Sequence, residues 1–252
     1  MAKQPPQGQF MHKLKLSLLF NSFICLFFFM VLNLWISTAN AAVDIDRTRI
    51  VMNEGDTEAG FMLANTGKEN VLLQIWTDTG DLTVSPSEVE TPLFVVPPIF
   101  KMVSGEVRGA RLLLNREDLQ FDDRENLLWL NIFQVNEVTD EANASSQKIV
   151  LPLRLRLKVF VRPKGIEKPG KQAFEKLRFI KSGENLKVVN NLPWYANFLA
   201  IKVGEEKFER ITVEPFSSIN LTLAQQLTTQ QVQFDILGDD GNTTNYKSTL
   251  VN

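Results

Sequence analysis

From residue 42 onward, apolar residues come in short runs that alternate with polar ones. Gly60–Ala64, Val71–Trp76, Leu93–Val96, Arg111–Leu114, Leu127–Val135 and Ile149–Val161 read as strands. Leu177–Lys181, Leu186–Val189, Asn197–Val203, Glu209–Val213, Ser218–Leu223 and Gln231–Leu237 continue the pattern. Breaks such as Asn53-Glu54-Gly55-Asp56, Asn65-Thr66-Gly67-Lys68 and Ser104-Gly105 suit tight turns. No run shows the period of a long amphipathic helix, so the pattern predicts an all-β fold of the sandwich type. Two polar, Pro- and Gly-containing stretches, Arg162-Pro163-Lys164-Gly165 and Glu167–Lys171, predict a boundary between domains 42–163 and 164–252.

One run differs from the rest. Ile149, Leu151, Leu153, Leu155 and Leu157 alternate with positions that become cationic at Arg154, Arg156 and Lys158. Successive side chains of a strand point to opposite faces, so this strand is apolar on one side and basic on the other. Pro152 lies inside the run and cannot donate to a ladder, which places the strand along a sheet edge. Two readings follow. The aliphatic row packs into the domain's own core, or it is offered to a partner.

The first 41 residues are set apart by composition. Lys3, Lys13 and Lys15 precede an apolar stretch from about Leu16 to Ile36, and Ala39-Asn40-Ala41 fits a cleavage pattern. This is the form of a secretory signal peptide, with a mature chain starting at Ala42. The apolar stretch approaches the length of a membrane span, so an uncleaved anchor is the alternative. Met11 offers an alternative start. Of the 27 Lys and Arg, three fall in this leader; the remaining 24 face 29 Asp and Glu, a mature net charge of −5. That balance argues against general nucleic-acid binding.

Cys25 and His12 are the only Cys and His, and both lie in the leader. The mature chain therefore has no disulfide, no thiolate metal site, no Cys nucleophile and no Ser-His-Asp triad. It carries no cofactor signature. Gly60…Gly67-Lys68 has the wrong spacing for a phosphate loop, and Asp239-Asp240-Gly241-Asn242 lacks the later ligands of a calcium loop.

Several ordered segments resemble the PapD-like periplasmic pilus chaperones. They are Ala42–Ile50, Val96-Pro97-Pro98, Gly105…Arg111-Leu112, Asp123-Arg124-Glu125-Asn126-Leu127-Leu128-Trp129-Leu130-Asn131-Ile132, Lys158-Val159-Phe160-Val161-Arg162-Pro163 and Asn190-Asn191-Leu192-Pro193-Trp194-Tyr195. The resemblance implies two immunoglobulin-like β-sandwich domains in an L or boomerang, and a chaperone, not an enzyme. It implies that the long strand, with Ile149, Leu151, Leu153 and Leu155, fills the groove of a pilus subunit that lacks a strand. The subunit would then pass to an outer-membrane usher, in a Gram-negative periplasm and without ATP.

The resemblance further implies that Arg49 and Lys158, in an open cleft, anchor the subunit's terminal carboxylate. It implies inter-domain ion pairs among Glu125, Arg162 and Asp239, with Asp240 a near competitor. No metal, nucleic acid or stable membrane association after signal cleavage is expected. Val96 and Asn126 depart from the family pattern, and the moderate loop Asn136–Lys148 leans toward the short-loop class that serves rod-like pili. An exported immunoglobulin-like adhesin or surface-structure subunit is the alternative. A hydrolase built on paired carboxylates is a third reading.

Overall fold

The computed structural model describes residues 43–137, 152–227 and 229–251. The leader expected at 1–41 lies outside them, as do Ile149, Leu151 and most of the loop before them. The described chain is all β apart from 3-10 turns at Arg116–Asp118 and Ala173–Lys176.

In the first half, β1 (Val43–Ile45), β2 (Arg49–Met52), β3 (Glu58–Asn65), β4 (Val71–Asp78) and β5 (Leu93–Val96) are followed by β6 (Ile99–Met102), β7 (Val107–Leu114), β8 (Asn126–Asn136) and β9 (Leu153–Val161). They form a four-stranded sheet of order β1-β3-β7-β5 and a five-stranded sheet of order β2-β9-β8-β4-β6. Their facing residues make one core, with Met52, Leu63, Leu73, Leu112, Leu130 and Val159 fully enclosed. Alternation drives this arrangement: in β4, Val71, Leu73 and Ile75 are buried while Leu72, Gln74 and Trp76 are not.

In the second half, β10 (Arg178–Ser182), β11 (Asn185–Asn190), β12 (Ala196–Val203), β13 (Glu206–Val213), β14 (Ser217–Thr222), β15 (Gln231–Leu237) and β16 (Thr243–Val251) form one ladder. Its order is β13-β12-β15-β16-β10-β11-β14. The parallel pair Phe179↔Leu250 joins its two parts, and its end strands β13 and β14 touch. The ladder thus wraps around a second core, where Phe179, Phe198 and Phe234 meet with ring centroids 5.0–6.2 Å apart.

The long strand corrects two expectations. Pro152 stands just before β9, not within it. Nor is β9 an edge strand along its whole length. It pairs antiparallel with β8 from Leu153 to Val161, and β2 covers its last part in parallel, from Arg49↔Lys158 to Met52↔Val161. Among the described residues, no strand pairs with β9 on that side before Lys158. The short β2 has too few residues to show alternation, so the sequence pattern did not reveal that cover.

Candidate functional site

β9 organises the site because its two faces do different things along its length. On the core-facing row, Leu157, Val159 and Val161 are buried, with Leu157 only 3% exposed. Leu155 and Leu153, earlier in the same row, are 37% and 46% exposed. The leucines leave the core where β2 stops covering the strand. They line an open groove of about 480 Å³ with Val43, Ile45 and Ile132. Apolar side chains beside an unpaired strand edge form a template for another strand.

The opposite row explains the basic face. The carboxylate of Asp78, 2% exposed at the end of β4, accepts hydrogen bonds from Arg156 at 2.6 Å, Arg154 at 3.2 Å and the Asn131 amide at 2.7 Å. Asn131 Oδ1 accepts from both arginine Nε atoms at 2.9 Å. Arg154 lies over Trp76 and Arg156 over Trp129, at 4.8 and 4.5 Å from the ring centroids. One buried acid and two indole faces therefore hold the cationic row flat, leaving the leucine row on the other side.

Farther along, the same row reaches the second core's strands. Lys158 Nζ donates to Asn197 Oδ1 at 2.8 Å and to Thr212 Oγ1. Arg49, its register partner in β2, donates to the Leu237 carbonyl at 3.1 Å. Arg49 Nε is buried with no partner among the described residues. Burial first, and then the charge of Arg49, pushes the Lys158 ammonium down to about 8. Two cations thus lie side by side in register, one with an unanswered donor. Both are half-buried and line a cleft, and both already bond to strands of the second half.

Arg162, 1% exposed just after β9, closes the row. Its Nε donates to Glu125 at 3.0 Å, and its two terminal nitrogens grip Asp239 at 2.9 and 2.8 Å. Asn53 accepts a further bond at 2.9 Å. The structure thus brings Glu125, Arg162 and Asp239 together, the first two buried and Asp239 part-buried, and not as solvated surface charge. Asp240 instead bonds Asn242 and stays exposed. Burial raises the Glu125 carboxyl to about 7, against the opposing pull of Arg162.

Asp78, Asn53, Asn197 and Thr212 were not singled out from the sequence. Asp78 had a signal: an acid ending an alternating apolar strand, in a chain with an unexplained basic face. The other three are ordinary polar residues whose importance depends on which strands meet.

Both halves of the chain match known family models. Residues 42–167 match the family described as pili and flagellar-assembly chaperone, PapD N-terminal domain. Residues 172–248 match the pili assembly chaperone PapD, C-terminal domain. The chaperone protein FimB/FhaD of Bordetella pertussis is 30% identical over 223 residues, 84% of this chain and 89% of that one. The chaperone protein FimC of Escherichia coli K12 is 27% identical over 187 residues, 73% of this chain and 75% of that one. Among solved structures, the Salmonella enterica SafA pilin in complex with the SafB chaperone gives a TM-score of 0.72 at 24% identity, covering 85% of this chain and 99% of that chain. The Pseudomonas aeruginosa CupB2 chaperone gives 0.65 at 25% identity, covering 82% and 100%.

Proposed function

Because the chain belongs to the PapD-like family of pilus assembly chaperones, we propose that it holds pilus subunits in the periplasm by lending them the open part of β9. The family is non-enzymatic, and the adhesin or surface-subunit reading is not favoured. Leu153 and Leu155, continued by Leu151 and Ile149, enter successive pockets of a subunit groove. Each buried leucine contributes roughly 1.5–3 kcal/mol before ordering costs. Backbone hydrogen bonds along the open edge add affinity, and alternate pockets set register.

Arg49 and Lys158 receive the subunit's C-terminal carboxylate and so fix where the added strand begins. Glu125, Arg162 and Asp239 hold domains 42–163 and 164–252 in the relation that keeps this cleft formed. Release to an outer-membrane usher completes the cycle, with no nucleotide required.

A single observation carries the reading. The leucine row of β9 leaves the core where β2 ends its cover, immediately before the two cations. A photo-crosslinking residue at position 153 should capture a co-expressed cognate pilin, and one at position 157 should not. Equal capture at both, or capture at neither from folded protein, overturns strand donation.

A further inference from the structure

Arg49 and Lys158 line a cleft of about 260 Å³. Arg156 and Arg210 line it too, and no carboxylate among the described residues does. Arg156 is bonded to Asp78, and Arg49 has Asp239 and Glu125 within electrostatic reach but not in contact. Neither Lys158 nor Arg210 has an acid in direct contact among the described residues. Among the described residues Lys158 meets the neutral Asn197 and Thr212 and the Trp129 ring, 5.7 Å from its centroid, and no carboxylate. The exposed Arg210 side chain has no hydrogen bond or ion pair among the described residues; Glu209, which acts on it only at longer range, is bridged to Lys207.

The backbone sets Arg210 apart as well. It sits mid-strand in β13 with φ of 55°, in the left-handed region that a side chain other than Gly rarely adopts. On the adjacent β12 the register with β15 shifts between Phe198 and Ala200, and the intervening Leu199 is 46% exposed and lines the same cleft. Two irregular positions on neighbouring strands thus place a cation and an apolar side chain opposite Lys158 and Trp129. Strain of this kind persists where the surrounding structure enforces it and clusters at binding sites.

We infer that Arg210 is a specificity-determining residue of this site: the cleft takes a peptide end bearing an acidic side chain close to its C-terminal carboxylate. The inference rests on the carboxylate-anchoring role proposed above. Charge counting leads to it. A terminal carboxylate answers Lys158, and Arg210, on the other domain, remains for a second anionic group. Leu199 and Trp129 supply apolar wall between the two charges.

The test uses short synthetic strand peptides of alternating valine and threonine, each made as a free acid and as a carboxamide. Asp, Asn or Lys is placed in turn at successive positions before the terminus. The wild-type protein should prefer the free acid. At one position it should also prefer Asp over Lys by about fivefold or more, and added salt should shrink that preference. Arg210→Glu should invert the preference at that position alone. Arg210→Gly, which satisfies the left-handed backbone without strain, should abolish it while keeping free-acid discrimination. If the free acid is preferred but Asp and Lys bind alike everywhere, or Arg210→Gly leaves the preference unchanged, Arg210 has no such role and the anchor stands. If free acid and carboxamide do not differ, the anchor reading fails and this inference with it.

Discussion

Glu125 joins the two halves of the molecule through Tyr195: one carboxylate oxygen accepts the Tyr195 backbone N–H at 2.9 Å while the other accepts from Arg162 at 3.0 Å. The Glu125 N–H in turn donates to the Pro193 carbonyl at 2.8 Å. A side chain on the first core's flank is thereby fixed to the backbone of the second. Phe160 packs beside this link, its ring centroid 5.8 Å from that of Tyr195.

That link should make stability depend on pH. Burial holds the Glu125 pKa near 7, above its unfolded value of 4.5. The folded state therefore binds an extra proton between those values. The stability contributed by the protonated carboxyl is fully present below 4.5 and is lost as pH rises through 7, by about 3 kcal/mol at most. Glu125→Gln imitates the protonated form. Its melting temperature relative to wild type should rise from pH 5 to pH 8. A fall over that window would mean that the ion pair with Arg162 outweighs burial.

Asp78→Asn should loosen the start of β9. The substitution leaves the part-buried Arg154 and Arg156 without their carboxylate, at a cost of about 1–3 kcal/mol. Amide hydrogen exchange should accelerate across Leu153–Leu157 and not in the second core. Pilin capture should weaken because the leucine row is no longer held outward. Unchanged exchange in β9 would show that Asn131 and the two indoles suffice to hold it.

Lys158 carries the opposite sign of pH dependence. Its pKa near 8 lies below the usual lysine value of 10.5, so the unfolded chain binds the extra proton between them and stability rises with pH across that range. Binding of a terminal carboxylate needs the charged form and should weaken as pH passes from 7 to 9. Lys158→Met should keep or raise the melting temperature of the free protein yet lose discrimination between free-acid and carboxamide peptides. Lys158→Arg should retain discrimination and lose its pH dependence. A large drop in melting temperature for Lys158→Met would show that its bonds to Asn197 and Thr212 stabilise the fold by more than its burial costs.

The sequence disclosed the strands whose outer faces are polar and whose inner faces are aliphatic. β4, β8 and β9 were readable in this way, because alternation against one core leaves a period of two. It did not disclose β16, which lies between β15 and β10, because among its residues only Tyr246 is buried and the rest, such as Lys247 and Thr249, read as loop. The family resemblance pointed to Arg49, Lys158, Glu125, Arg162 and Asp239 because those positions sit within continuous motifs. Asn197, Thr212 and Arg210 carry no local signature. Their place at the cleft arises from strand meetings across the two halves, a contact no local pattern encodes.

The leucine row of β9 gives the sharpest contrast within one strand. Leu157 belongs to the first core, and Leu157→Glu puts a carboxylate among Leu130, Ile132 and Val159 with nothing to pair it. That variant should lose cooperative unfolding of the first domain and accumulate poorly. Leu153→Glu, four residues earlier on the same face, places its charge in the open groove, where water solvates it. It should keep the wild-type circular dichroism spectrum and melt within a few degrees of the parent. Its pilin complexes should nonetheless disappear, because a subunit pocket that closes over position 153 would have to bury the charge unpaired. The comparison separates fold from function by position alone, since both variants make the same substitution on the same strand face. Loss of folding at position 153 would place that leucine in the protein's own core, and intact pilin binding by folded Leu153→Glu would remove it from the donated strand.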